Sequence, residues 1–114
     1  MNQLLENYVI QVEYPDVSGA EHLETLEIRD RLSELESNFS SEERSILFEA
    51  DRKLMANTPQ IYQELLRFID LGQYRTEQHI SPQKWWWYLD VLNYLPTVNL
   101  TDRNARQNRD AKSA

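Results

Sequence analysis

Two histidines, His22 and His79, are the only imidazoles in this 114-residue chain, which contains no cysteine. The lack of cysteine removes thiol nucleophiles, thiolate metal ligands and disulfides from consideration. On a helix, His22 would share its face with Ser18, Gly19, Thr25 and Leu26. None of these is a carboxylate at metal-ligand spacing, and the chain has no Glu-x-x-His pair of the kind that builds di-metal sites in helical bundles. His79 stands near Glu77 ahead of the last predicted helix and reads as a surface residue rather than a general base. A serine–histidine–acid set assembles only in the fold, and no glycine-framed nucleophile motif announces one. Gly19 and Gly72 stand alone, so no glycine-rich loop can cradle a phosphate. The adjacent acids Glu42 and Glu43 suit the first turn of a helix, where carboxylates complement the dipole, better than a catalytic pair. No catalytic, cofactor-binding or metal-ligating residue is therefore assigned, and the expectation is a protein that is not an enzyme.

All three tryptophans are consecutive, Trp85-Trp86-Trp87, and Tyr88 follows them. On a helix advancing about 100° per residue they cannot all face one core. Trp85, Tyr88, Leu89, Leu92 and Leu95 would form one face and Trp87, Val91 and Tyr94 a second, with Trp86 beside Asp90 and Asn93. A helix apolar on two sides needs two partners. One reading encloses it among other helices of the same chain. A second makes the extra face an interface, within a homo-oligomer or with another protein, and its candidate contacts are Trp86, Trp87, Val91 and Tyr94. Tryptophan and tyrosine dominate binding hot spots, which favours that assignment. A third reading is an aromatic pocket for a small ligand.

The net charge of −7 is unevenly placed: residues 1–43 carry −9, residues 44–96 are neutral, and residues 97–114 carry +2. An acidic first third repels phosphate backbones and argues against direct nucleic-acid binding. Glu24, Glu27, Asp30 and Glu34 fall on the polar side of a predicted helix and are candidates for receiving a basic partner. The plainer reading is a solvated face that maintains solubility. Arg103, Arg106 and Arg109 in the last stretch are diluted by Asp102 and Asp110 and lack interleaved aromatics, a weak footprint for a nucleic-acid arm.

The elements that must position these residues are helices. Two glycines in the whole chain argue against a turn-rich β fold. Ser18 with Glu21, and Ser40 with Glu43, have the spacing of capping boxes. Ser81-Pro82 reads as a helix start, stapled by Ile80 and Trp85, and Gly72 as the end of the preceding helix. Ile28, Leu32, Leu35 and Phe39 make one apolar stripe; Leu47, Ala50, Leu54, Ile61, Leu65 and Phe68 make another. The second stripe crosses Pro59, and an unbroken helix over 41–71 would be about 45 Å long, against a globule on the order of 35 Å across. A kink or short break near Thr58-Pro59 is predicted. Tyr8 to Tyr14 alternate like a strand, yet the chain offers no second strand to pair with, so helix is preferred there.

The expected fold is all-α: a small bundle of three to four helices within residues 1–96. An N-terminal helix or arm occupies 1–17, helices lie near 19–39, 41–71 and 82–95, and a disordered polar tail covers 97–114. The longest apolar run is the five residues Trp85–Leu89, and the first residues carry no basic-then-apolar leader. Both point to a soluble cytoplasmic protein with no membrane association. The function expected is a protein–protein interaction module, an adaptor, assembly factor or regulator, that binds another protein or itself and uses no cofactor. An acidic nucleic-acid mimic or antitoxin-like neutraliser of a basic protein is the alternative. A small enzyme or ligand sensor with a pocket near the tryptophans is the third class.

Overall fold

The computed structural model describes residues 2–95, whose regular structure is all helical: six α-helices and two 3-10 turns, with no strand among the described residues. The polar segment 97–114, expected to be disordered, lies outside the described residues together with Arg103, Arg106 and Arg109.

The first helix, α1 (Gln3–Glu13), begins at Asn2, whose side chain accepts from the Leu4 and Leu5 amides. It settles the ambiguous Tyr8–Tyr14 stretch as helix, because Leu5, Tyr8 and Val12 lie on one side and are buried while Ile10 points outward. Helix α2 (Gly19–Leu35) starts on Ser18, whose hydroxyl accepts from the Glu21 amide, and runs into a 3-10 turn, Glu36–Asn38, that delivers Phe39 to the core. Helix α3 (Ser41–Ala56) carries the reciprocal cap that Ser40 and Glu43 foretell, with both hydrogen bonds formed. Ser40's amide holds the Glu43 carboxyl below its ordinary range.

The predicted long helix breaks at Asn57, one residue before Thr58, and resumes as α4 (Thr58–Leu66) with Pro59 in its first turn. Proline's missing N–H has no intrahelical partner there to lose. Leu47, Ala50, Leu54, Ile61 and Leu65 are buried as the stripe requires, but Phe68 lies beyond the end of α4 and is exposed.

Two expectations are corrected. Gly72 does not end a helix. It sits in the first turn of α5 (Leu71–Gln78), a helix absent from the sequence reading, which Asp70 caps by accepting from the Gln73 amide. Only Leu71 of this helix is buried, so α5 has almost no periodic apolar signal. Its left-handed terminus is His79, at φ 53°, where the Ile80 amide turns back to the Arg75 carbonyl. Nor do residues 82–95 form one helix. Lys84 closes a turn on the Ser81 carbonyl, Trp85–Trp87 make a 3-10 turn, and only Leu89–Tyr94 are α-helical, as α6.

Helix α2 is the central element. It packs on α1, on α4 and on the tryptophan turn, and it buries His22, Thr25, Leu26, Ile28, Arg29 and Leu32, more than one stripe. Gly19 permits its closest approach: a Cβ there would stand 2.4 Å from the Glu64 carbonyl oxygen of α4. The helix that needs partners on several sides is therefore α2, not the one expected at the tryptophans.

Candidate functional site

The tryptophan turn is built around one carboxylate. The indole N–H groups of Trp86 and Trp87 both donate to Asp30 Oδ1, each at 2.8 Å. An α-helix would turn adjacent indoles about 100° apart. Trp85–Trp87 form a 3-10 turn instead, and both donors reach the same oxygen. Trp87 also stacks on Tyr74 of α5, with ring centroids 4.7 Å apart, and its carbonyl accepts from Arg75 Nη1. Arg75 grips Asp90 with two hydrogen bonds and lies over the Tyr88 ring at 4.5 Å. Partial burial would raise the Asp90 carboxyl, but the Arg75 hydrogen bond and charge outweigh it and hold Asp90 below its usual range.

A second polar cluster shares α2. Arg29 is 5% exposed. Its Nε and Nη2 donate to the two oxygens of Asp51 on α3, at 2.9 and 3.1 Å. Asp51 also accepts from the Tyr8 hydroxyl at 2.6 Å, which ties in α1. Burial, then the Asp51 charge, pushes the Tyr8 phenol far upward, so it stays a donor. The Arg29 guanidinium stacks over Trp86 at 4.3 Å and joins the two clusters. Burial opposes its charge, but Asp51 and Glu36 outweigh that and raise its pKa. These groups are ion-paired and, apart from Arg29 Nη1, hydrogen-bonded to one another, which suits them to fastening helices rather than to proton transfer.

The partner-contact candidates separate accordingly. Trp86 and Trp87 are 3% and 0% exposed and belong to the core, so the two-faced helix that would have offered them to a partner does not exist. Asp30 is engaged by both indoles and has Lys84 Nζ at 3.9 Å. Glu24, Glu27 and Glu34 are exposed and enter no ion pair among the described residues.

Val91 and Tyr94 remain on the surface of α6, with Tyr94 83% exposed. Leu95, just past α6, and Leu66 on α4 are exposed, and Tyr62 of α4 is half-buried. Helices α4 and α6 pack together. Burial, then the charges of Tyr94, Asp90 and Asp70, raises the Tyr62 phenol.

His22 is buried, and its Nε2 has no hydrogen-bond partner. Burial holds its pKa below the ordinary histidine value, against the Pro15 carbonyl and the charges of Glu64 and Glu21. His79 is exposed at its helix end. No three His, Asp or Glu side chains converge as a metal site among the described residues, and none of their helices is long and apolar enough to cross a membrane. Two concavities have no tryptophan in their lining, an open cleft of 560 Å³ between α2 and α3 and a smaller one between α1 and α3.

Sequence reasoning missed Arg29, Asp51, Tyr8, Tyr74 and Arg75. One signal was present: Arg29 interrupts the apolar series Leu26, Leu32 at a spacing of three, so it had to lie inside the stripe. No family model matches this chain, and no curated protein or solved structure does.

Proposed function

We propose that the protein is a non-enzymatic protein-interaction module that docks another protein, or a second copy of itself, on the α4–α6 face. One observation carries this reading: Leu66 on α4, Val91 and Tyr94 on the packed α6, and Leu95 just past its end present exposed apolar side chains, while Trp86 and Trp87 are consumed internally. Apolar side chains clustered on a small surface favour association, and tyrosine is a preferred anchor. Sedimentation velocity across a concentration series tests the proposal. The double substitution Val91→Ser with Tyr94→Ser should abolish self-association or binding of a native partner. Its effect on stability should stay within about 0.5 kcal/mol per site, as for other surface changes. Unchanged sedimentation and partner binding, together with a large fall in Tm, would overturn it.

The exposed Glu24, Glu27 and Glu34, unpaired among the described residues, support a second reading as an acidic neutraliser of a basic protein. Under that reading, binding falls steeply with salt and with charge-removing substitutions at those three positions.

A further inference from the structure

The open cleft between α2 and α3 has a volume of 560 Å³ and takes no part in the α4–α6 face. Arg29 forms part of its floor. Two of the three guanidinium nitrogens are committed to Asp51, whose side chain is 14% exposed and which also holds Tyr8. The third, Nη1, is buried and makes no aligned hydrogen bond. Its ionic neighbour is Glu36 Oε1, 2.7 Å away but off the hydrogen-bond axis, on a side chain that is 41% exposed. The guanidinium thus has two fixed arms and one exchangeable arm. Glu36 can leave for water at small cost, because a half-exposed carboxylate regains its hydration outside. Arg29 keeps Asp51 when Glu36 leaves, so its charge stays paired, but its buried Nη1 donor is left without a partner, and an unsatisfied buried donor is costly.

The walls define what would replace Glu36. Arg44 is exposed and tethered by one 3.3 Å hydrogen bond to the Ser37 carbonyl, so its guanidinium is within a side-chain rotation of the cleft. Ser33 also lines the cleft, with its hydroxyl donating to the Asp30 carbonyl at 2.6 Å. The opposite side is apolar: Leu47 is buried, and Phe48 is 63% exposed with its ring unused by the core. We propose that this cleft binds a small organic anion, a carboxylate or phosphate ester bearing an aromatic or apolar group. Its head displaces Glu36 from Arg29 and recruits Arg44, and its body lies against Leu47 and Phe48. Paired guanidinium groups favour planar, multi-oxygen heads.

The test uses the full chain with benzoate and phenyl phosphate as probes and benzamide as the neutral control, followed by backbone and Arg29 Nε resonances in NMR titrations. Both anions, or one of them, should shift Arg29, Ser33 and Phe48, and the pattern across the two identifies carboxylate or phosphate ester as the preferred head. Glu36→Gln removes the internal competitor and should tighten binding roughly two- to five-fold, the range expected for loss of a half-exposed ion pair. Arg44→Gln should weaken it by a similar factor, and neither substitution touches the buried Arg29–Asp51 pair. The proposal is overturned if neither anion moves these resonances in the wild type and in Glu36→Gln, if benzamide binds as well as benzoate, or if Glu36→Gln weakens binding.

Discussion

Replacing Asp30 by alanine isolates the chemistry that organises the tryptophan turn. Asp30 Oδ1 accepts both indole N–H groups at 2.8 Å, and the two rings are 3% and 0% exposed. In Asp30→Ala two donors lose their acceptor in a region that water reaches poorly. A buried donor left unsatisfied costs about 1–3 kcal/mol. The two share one acceptor and one turn, so their effects are coupled, and about 2–4 kcal/mol is expected in total. Asp30 is itself partly exposed, its side chain at 32%, which keeps the figure below the sum of two fully buried losses. Against a folding free energy on the order of 5–15 kcal/mol, this is a large fraction. Asp30→Asn keeps an oxygen in place and should cost about 1 kcal/mol, through loss of charge assistance. Urea titration followed by tryptophan emission is the natural assay, because every tryptophan of the chain lies in this turn. The midpoint should fall while the slope with denaturant stays constant. A cost below about 0.5 kcal/mol for Asp30→Ala would refute the reasoning and return Asp30 to the solvated acidic face with Glu24, Glu27 and Glu34.

Gly19→Ala should destabilise by about 1–3 kcal/mol, the range for forced overpacking, because its Cβ would lie 2.4 Å from a backbone oxygen of α4 and 3.0 Å from Phe68 Cβ. Thermal unfolding should show a Tm lower by several degrees, and an unchanged or higher Tm would contradict the close α2–α4 approach. His22 has a folded-state pKa below its unfolded value, chiefly through burial. The unfolded chain therefore takes up the proton first, and stability should decline as pH falls below about 6.5, levelling off only beneath the folded-state pKa. In His22→Gln that part of the pH slope should vanish, as read by chemical denaturation between pH 7.5 and 5 at roughly half-unit steps.

The local half of the fold was legible because its signals are local. The Ser40–Glu43 box, the Ser18 cap and the stripe from Leu47 to Leu65 act within one or two turns, and each appears in the structure where its spacing put it. The preference for helix over strand at Tyr8–Tyr14 rested on the lack of a pairing strand, and α1 agrees. Helix α5 was invisible because one buried leucine makes no periodicity, and its start rests on a single aspartate cap. Gly72 misled because glycine after an apolar run usually ends a helix, whereas here the left-handed end falls to His79.

For the candidate surfaces, helical phase grouped Val91 and Tyr94, which are exposed on α6, with Trp87, which is buried, while it put Glu24, Glu27 and Glu34 on the outside of α2, where they lie. Phase did not show that Asp30 differs from those three glutamates, nor that Arg29 belongs inside. Both distinctions depend on partners far along the chain: Asp51 is 22 residues from Arg29, and Trp86 and Trp87 are 56 and 57 residues from Asp30.

By itself, then, the amino-acid order determined the all-helical character of the described residues, the starts of α2 and α3, the break before α4 and the acidic first third. The tertiary structure decided where the tryptophans go. Three adjacent indoles carry more apolar area and more N–H donors than one helical stripe can place. Which backbone they adopt is set by the long-range acceptor and the aromatic neighbour that satisfy them, Asp30 and Tyr74. A cap or a stripe is an interaction between residues three or four apart, and composition and spacing record it. A carboxylate shared by two buried indoles exists only once α2 and the tryptophan turn have packed.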